Sequence, residues 1–399
     1  VLALTTATQS CSTLGILALA AVAPAAARDL GVSAALIGYQ VGIVFFGAML
    51  SAAAAGGIVM RFGAVRASQA TLWLIAAGCA MSAIGSIYAV VAGALVMGLG
   101  YGIPNPAASQ LLARIPSHRS INLLYSIKQT GVPVGGVLSG VLAPPIAVAF
   151  GWQAALGACA VLLAALGLAI GVVREAWDTD RDPRAPILAA VARSAALVWG
   201  HGPLRWISVA SLLYSGVQVS LTGFLATYLV SDVHLSLVLA GTVLSITHAS
   251  GAVGRLTWGW FADRVRSGAA ALMVNGSLAA VGALLTAAMA PRWPIAAVIA
   301  AAALFGFCAV GWNGVYMALI SRFSPPGSIG YAVGGSLIMT YAGVIVVPPA
   351  LAALHNRLEW SYGMGFALLS MVTLAGVGCV HLAAKATRAH KARGGTPAP

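Results

Sequence analysis

Apolar runs of about 20 residues or more, long enough to cross the hydrocarbon core of a bilayer, recur along this chain with short polar connections between them. They fall at Thr5–Ala27, Ala34–Val59, Ala67–Tyr88, Ala89–Leu112, Ile121–Phe150, Trp152–Val173, Ile207–Val230, Leu235–Ala262, Ala269–Ala290, Trp293–Ile320, Tyr331–Leu354 and Ser361–Ala384. The pattern predicts an all-α polytopic membrane protein with twelve spans. No charge marks the join between the third and fourth runs, at Tyr88–Val90. The longest polar segment, Arg174 to Gly202, mixes acids and bases. It divides the chain into an N-terminal six-helix bundle (1–173), a central loop (174–202), a C-terminal six-helix bundle (203–386) and a tail (387–399).

Composition agrees with that reading. The 399 residues are 60% hydrophobic and 7% charged, with 47 glycines, whereas soluble domains carry about a quarter charged residues. Lys and Arg are divided unevenly between alternate connections, and cytoplasmic loops carry the excess. With the N-terminus inside, sixteen of the 21 cations, from Arg61 to Arg393, fall on the cytoplasmic side, and Arg28, Arg292 and Arg357 fall on the other. Both termini are therefore expected in the cytoplasm, and the location is expected to be a bacterial inner membrane. The net charge of +13 follows from this topology and the anionic inner leaflet, so no nucleic-acid partner is implied. Cys11, Cys79, Cys159, Cys308 and Cys379 all lie in apolar runs at no metal or disulfide spacing, and read as small core residues. The first run has no basic flank and is followed by eleven more, so it reads as a membrane helix and not a cleaved signal. A chain beginning at Val1 is expected to have had its initiator region trimmed or left out.

The remaining two cations, Lys128 and Arg255, lie inside apolar runs that contain no Asp or Glu. Charge at membrane depth costs several kcal/mol without a partner and marks functional sites. The simplest partner is an anionic cargo. Helical spacing places Lys128 on one face with Gly131, Gly135, Gly136, Ser139 and Gly140, small residues that let helices approach closely. The alternative is that Lys128, about 12 Å from the helix end, snorkels to the interface. Gly241, Ser245, His248, Ala252, Arg255 and Gly259 recur at intervals of three and four, forming one stripe. Arg255 stands eight residues before Asp263, about 12 Å along a helix and too far for a direct pair. Its alternative role is to brace a gate by bonding backbone carbonyls. His248 is the most plausible proton-handling group, because imidazole titrates near neutrality, against the plainer reading of a satisfied structural histidine. Gln9, Tyr214, Gln218, Asn313, Tyr316 and Tyr341 are weaker candidates to line a path. Trp152, Trp206, Trp293 and Trp360 sit at span ends, where tryptophan anchors helices at the interface.

Two related turns follow the second span of each half: Gly57-Ile-Val-Met60-Arg61-Phe-Gly63-Ala-Val-Arg66 and Gly259-Trp-Phe-Ala-Asp263-Arg264-Val-Arg266. They point to duplicated halves, an arrangement that binds cargo near the midplane. With Gly98-Leu-Gly100-Tyr-Gly102, Pro104 and the glycine-rich fifth span, they resemble the major facilitator superfamily over essentially the whole chain. Met60 stands where that family usually has aspartate. Pro133 follows Val132 where family antiporters have a glycine. The resemblance implies twelve helices in two pseudo-symmetric bundles and a gating loop carried by Arg61, Arg66, Asp263 and Arg264. The segment Gly254-Arg255-Leu-Thr-Trp258-Gly259 looks like the eighth helix of monocarboxylate transporters and oxalate–formate exchangers. That likeness implies that Arg255 grips a carboxylate and that helices five and eight face each other. Two unit charges roughly 8 Å apart repel by about 2 kcal/mol at an effective dielectric near 20, and a bound carboxylate reverses that sign.

The chain is thus expected to move a small organic anion by alternating access. Lys128, Arg255, Asn313, Gln9, Gln218 and Tyr341 would contact it, with proton symport, exchange for a counter-anion and facilitated diffusion all open as modes of transport. It is expected to work as a monomer, with no cofactor and no metal. The alternative within transport is efflux of neutral or anionic drug-like compounds. An enzyme would need a nucleophile–base or metal-ligand cluster such as paired histidines one turn apart, and the seven histidines show no such pair. A sensor would need a soluble domain, and the loops are too short for one.

Overall fold

The computed structural model describes residues 1–32, 34–115, 120–359 and 361–392, without the side chains of 34–36, 38 and 389–392. His118, Arg119, Trp360 and Arg393 lie outside the described residues. The helices are α1 (Leu2–Ala21), α2 (Ala34–Phe62), α3 (Ala64–Ser82), α4 (Ile87–Tyr101, then Pro104–Leu112), α5 (Ile121–Gln129, then Gly131–Phe150) and α6 (Trp152–Ile170). They continue with α7 (Gly202–Ser231), α8 (Leu237–Arg264), α9 (Gly268–Ala287), α10 (Ile295–Ala309, then Asn313–Phe323), α11 (Ile329–Leu358) and α12 (Tyr362–Ala392). Among the described residues eleven of these are long and apolar enough to cross a membrane. The other is α3, which has 19 residues and carries Arg66, Ser68, Gln69 and Thr71 in its first half. Polar side chains there lower its apolarity without shortening it below a span.

Several boundaries differ from those read in the sequence. The expected first span, Thr5–Ala27, is interrupted at Val22, after which Ala23–Asp29 starts anew with Pro24 in its first turn. The join between α3 and α4 lies at Ala83–Ser86, before Tyr88, with Gly85 at φ +79 providing the bend. The central segment is not all loop: Arg174–Trp177 and Leu188–Gly200 are helical. The second of these buries Ala190, Ser194 and Val198, a four-residue period that seats one small face of an alanine-rich helix. At the other end, α12 runs through Ala392, so the expected tail begins as helix.

The chain forms two compact units. The first holds Val1–Pro116, Lys128–Val198 and Ser324–Tyr341, and the second holds Ser117–Ile127, Trp199–Phe323 and Ala342–Pro399. Within the first, α3 begins at Gly63 (φ +95), and its free N–H groups need acceptors. Asp178, from the central segment, supplies them. Its Oδ1 accepts from Val65 N at 2.8 Å, and its Oδ2 accepts from Arg66 N at 3.1 Å and Arg66 Nη1 at 3.3 Å. Asp180 close by accepts from Gln110 at 2.8 Å and pairs with Arg114. Partial burial opposes its ionisation, but the hydrogen bonds from Gln110 and Arg114 outweigh that and hold the carboxyl below its usual value. Within the second unit, Ser236 caps α8 through Leu239 N and Ser267 caps α9 through Ala270 N.

Asp178→Ala removes a buried cap together with its ion pair. It should lower stability by about 2 kcal/mol, read as a fall in the thermal midpoint of purified protein in detergent. Asp182→Ala, at an exposed carboxylate that accepts locally from Arg184 N, should cost well under half as much.

Candidate functional site

In α5 the helix breaks immediately after the lysine singled out in the sequence. Its first segment ends at Gln129 and the second starts at Gly131. Pro133 has no N–H to offer the Gln129 carbonyl, and its ring crowds that oxygen. Lys128 therefore occupies the last turn of a half-helix, where the backbone dipole favours a cation. The side chain is 2% exposed. Its ammonium donates to Gln9 Oε1 at 2.8 Å, to Asn105 Oδ1 and to Gln129 Oε1 at 3.4 Å. Lys128 is thus held inside the first unit and does not reach out to an interface.

The acceptors are delivered by local breaks and close approaches. Asn105 opens the second segment of α4 between Pro104 and Pro106, each lacking the N–H that would continue the first segment. Gln9 is fully buried on α1. A Cβ at Gly131 would lie 2.8 Å from Thr6 O, and one at Gly135 would press still closer on Ser10 O, so only glycine lets α5 come this near to α1. The packed face follows Gly131, Gly135 and Ser139, four residues apart and all buried. Gly140, expected on that face, meets nothing within 4 Å, because the contact follows the i+4 ridge.

Around Gln9 the polar shell continues into aromatic rings. Gln9 Nε2 donates to Tyr101 Oη at 3.4 Å, Thr13 Oγ1 lies 3.4 Å from the same hydroxyl, and Tyr341 Oη donates to Tyr101 O at 3.5 Å. Phe45 stands 6.0 Å from the Tyr101 ring and 5.7 Å from the Tyr341 ring. Lys128, Gln9 and Tyr341 thus meet in one neighbourhood of the first unit. Asn105, Gln129 and Tyr101 belong to it too and were not singled out in the sequence. The signal that could have found Asn105 is an amide between two prolines in an apolar span.

The second unit has its own polar group. Arg255 on α8 is 2% exposed. His248, two turns earlier, and Ser245 are exposed on the same helix. Next to α8 runs α10; a Cβ at Gly254 would collide with Phe307 O, so the residue before Arg255 presses directly on that helix. α10 is interrupted at Val310–Trp312. At that interruption Trp312 Nε1 and Asn313 Nδ2 both donate to Gln218 Oε1 at 3.0 Å. Tyr214 and Tyr316 flank Trp312, with ring centroids at 5.7 Å and 5.0 Å. Asn313, Gln218, Tyr214 and Tyr316 therefore gather, while Lys128 and Arg255 belong to different units.

The expected gating residues have separate places. Asp263, in the last turn of α8, caps the first turn of α5. Its Oδ1 accepts from Asn122 N at 3.1 Å and Asn122 Nδ2 at 2.7 Å, and its Oδ2 accepts from Leu123 N at 2.8 Å. Arg66 is paired with Asp178. Arg61 and Arg264 are exposed, and the Arg61 guanidinium lies 5.8 Å from the Phe62 ring centre. Among the described residues no group of three or more His, Cys, Asp or Glu is placed to hold a metal ion.

Known proteins share both the sequence pattern and the fold. The sequence profile described as Major Facilitator Superfamily matches residues 5–348. A gentisate transporter of Corynebacterium glutamicum is 26% identical over 369 residues, covering 89% of this chain and 80% of that protein. A gallate transporter of Pseudomonas putida is 26% identical over a stretch covering 61% of each chain. Among solved structures, the human organic anion transporter MFSD10 superposes with a TM-score of 0.77 at 15% identity, covering 95% of this chain and 98% of that one; at that identity the likeness concerns the fold.

Because Asn105 answers a buried ammonium, Asn105→Ala should destabilise the protein by about 1–3 kcal/mol. Removing the charge as well, in Lys128→Met/Asn105→Ala, should cost less than the two single changes summed. A double-mutant cycle on thermal unfolding measures the difference.

Proposed function

The chain belongs to the Major Facilitator Superfamily, and on that premise we propose that it carries a small organic anion, most simply a carboxylate, by alternating access. The observation that carries the reading is Lys128: a buried ammonium whose hydrogens are received by the neutral amide oxygens of Gln9, Asn105 and Gln129. Amides satisfy its donors while leaving its positive charge in place. A carboxylate is the chemistry that answers such a charge in a low-dielectric interior. Arg255 is the second binding cation, able to grip a carboxylate through two parallel hydrogen bonds where Lys128 acts as a point charge.

Two of the relatives are named for gentisate and gallate, both hydroxylated benzoates. That supports a small aromatic acid as the first cargo to try. Phe45, Tyr101 and Tyr341 beside Gln9 offer ring faces, and Gln9, Asn105, Gln218 and Asn313 offer hydrogen bonds to ring hydroxyls. His248 is the candidate proton carrier, with exchange for a counter-anion as the other coupling. We place both termini in the cytoplasm of a bacterial inner membrane, on the loop charges.

Uptake of radiolabelled hydroxybenzoates into proteoliposomes tests this reading. Lys128→Ala and Arg255→Ala should each reduce it by about a hundredfold or more, as expected for loss of a charged contact, while the purified variants stay folded. Full transport of these anions by both variants would refute the assignment. His248→Gln should uncouple uptake from an imposed pH gradient, and undiminished coupling would remove that histidine from the mechanism.

A further inference from the structure

On α12 one face stays open along most of the helix. Met371 (67% exposed), Leu374 (50%), Gly378, His381, Lys385 and Arg388 follow each other at steps of three and four residues, which keeps them on one side. Gly378 in the middle faces open space, and a Cβ placed on it would meet nothing within 4 Å. The first half of this face is apolar and the second half is basic. Such a switch along a continuous face is what a helix meets when it passes from acyl chains to phosphate headgroups.

The neighbouring helix starts beside the basic end. Gly202, at the start of α7, packs against Ala386 of α12, with a Cβ at Gly202 falling 3.4 Å from the Ala386 Cβ. One turn into α7, the Arg205 guanidinium lies 5.4 Å from the centre of the Trp206 ring. Its Nε is buried and meets no hydrogen-bond acceptor among the described residues. The sequence holds no Asp or Glu from Trp199 to Ser231 or from Ser361 to Pro399, so neither helix supplies an anion to these cations. Trp199, three residues before α7, is 50% exposed, as an interfacial anchor is.

We propose that Arg205, Lys385 and Arg388 form a binding site for the phosphate headgroup of an anionic phospholipid, whose acyl chains lie along Met371 and Leu374. A free phosphate ion would satisfy the same donors. The apolar run that leads into the cluster on the same face favours the lipid.

The full-length protein, purified in detergent and stripped of lipid, is titrated with phosphatidylglycerol, phosphatidylcholine or sodium phosphate while its thermal midpoint is followed, and retained lipid is counted by native mass spectrometry. Phosphatidylglycerol should raise the midpoint saturably and remain bound. Lys385→Gln/Arg388→Gln, at two exposed positions, should weaken that binding about tenfold or more, given roughly 1 kcal/mol per basic side chain at an anionic surface. Arg205→Gln should weaken it as well. An equal response to phosphatidylcholine, unchanged binding in the double variant, or the same shift from sodium phosphate at equal concentration would each overturn the lipid site.

Discussion

A buried ammonium among amide oxygens is the constraint around which the first unit is organised. Lysine at this depth is tolerated only if its three hydrogens find acceptors and the local field favours its charge. The chain meets both needs by interrupting helices. Pro133 ends the first segment of α5 just past Lys128, placing the negative end of a short helix dipole next to the cation. Pro104 and Pro106 restart α4 so that Asn105 reaches the same point. Non-helical backbone is costly in lipid and survives where it is enclosed by protein. The breaks and the buried charge therefore sustain each other.

Much of the architecture was legible because the bilayer writes a strong signal. Twelve apolar runs of the right length located the helices, and the glycine-rich turns pointed to the family. Lys128 and Arg255 stood out because charge is rare at that depth. What could not be read was the set of partners. Nothing in the spacing of α1 indicates that Gln9 reaches Lys128 across 119 positions of sequence. Nor does Tyr101 declare itself in a run that stands out mainly for its glycines and prolines. The helix in the central segment is hidden for another reason: charged residues dominate its approach, while the small residues Ala190, Ser194 and Val198 that seat it carry little weight in a hydropathy reading. Helix ends behave similarly, since Val22 and Gly85 act through backbone geometry that an apolar count does not register.

The duplication visible in the loops extends into the helices, although it is not preserved in the chemistry. α5 and α11 each carry a double proline, Pro144–Pro145 and Pro348–Pro349, and α4 and α10 are both interrupted. The caps have diverged. Asp263 occupies the family position in the second loop and caps α5. In the first loop Met60 takes the equivalent place, and the acceptor for the start of α3 comes from Asp178, 113 residues beyond the N–H of Val65 that it receives. The carboxylate that caps α3 thus ties the central segment into the first unit.

The breaks in α5 and α10 also differ in their chemistry. At the break in α5 a cation is ringed by acceptors, whereas at the break in α10 two donors, Trp312 Nε1 and Asn313 Nδ2, converge on the single amide oxygen of Gln218. The choice of amides over carboxylates at both places has a physical consequence. An aspartate in place of Asn105 would neutralise Lys128 permanently, and an incoming anion would then have to displace it at the cost of a buried ion pair. An amide holds the ammonium in position at lower energy and does not compete for its charge. Under the proposed function, this is what allows a carboxylate to bind firmly enough to be selected and loosely enough to be released: the site keeps its geometry through Gln9, Asn105 and Gln129, and the cargo alone changes its net charge.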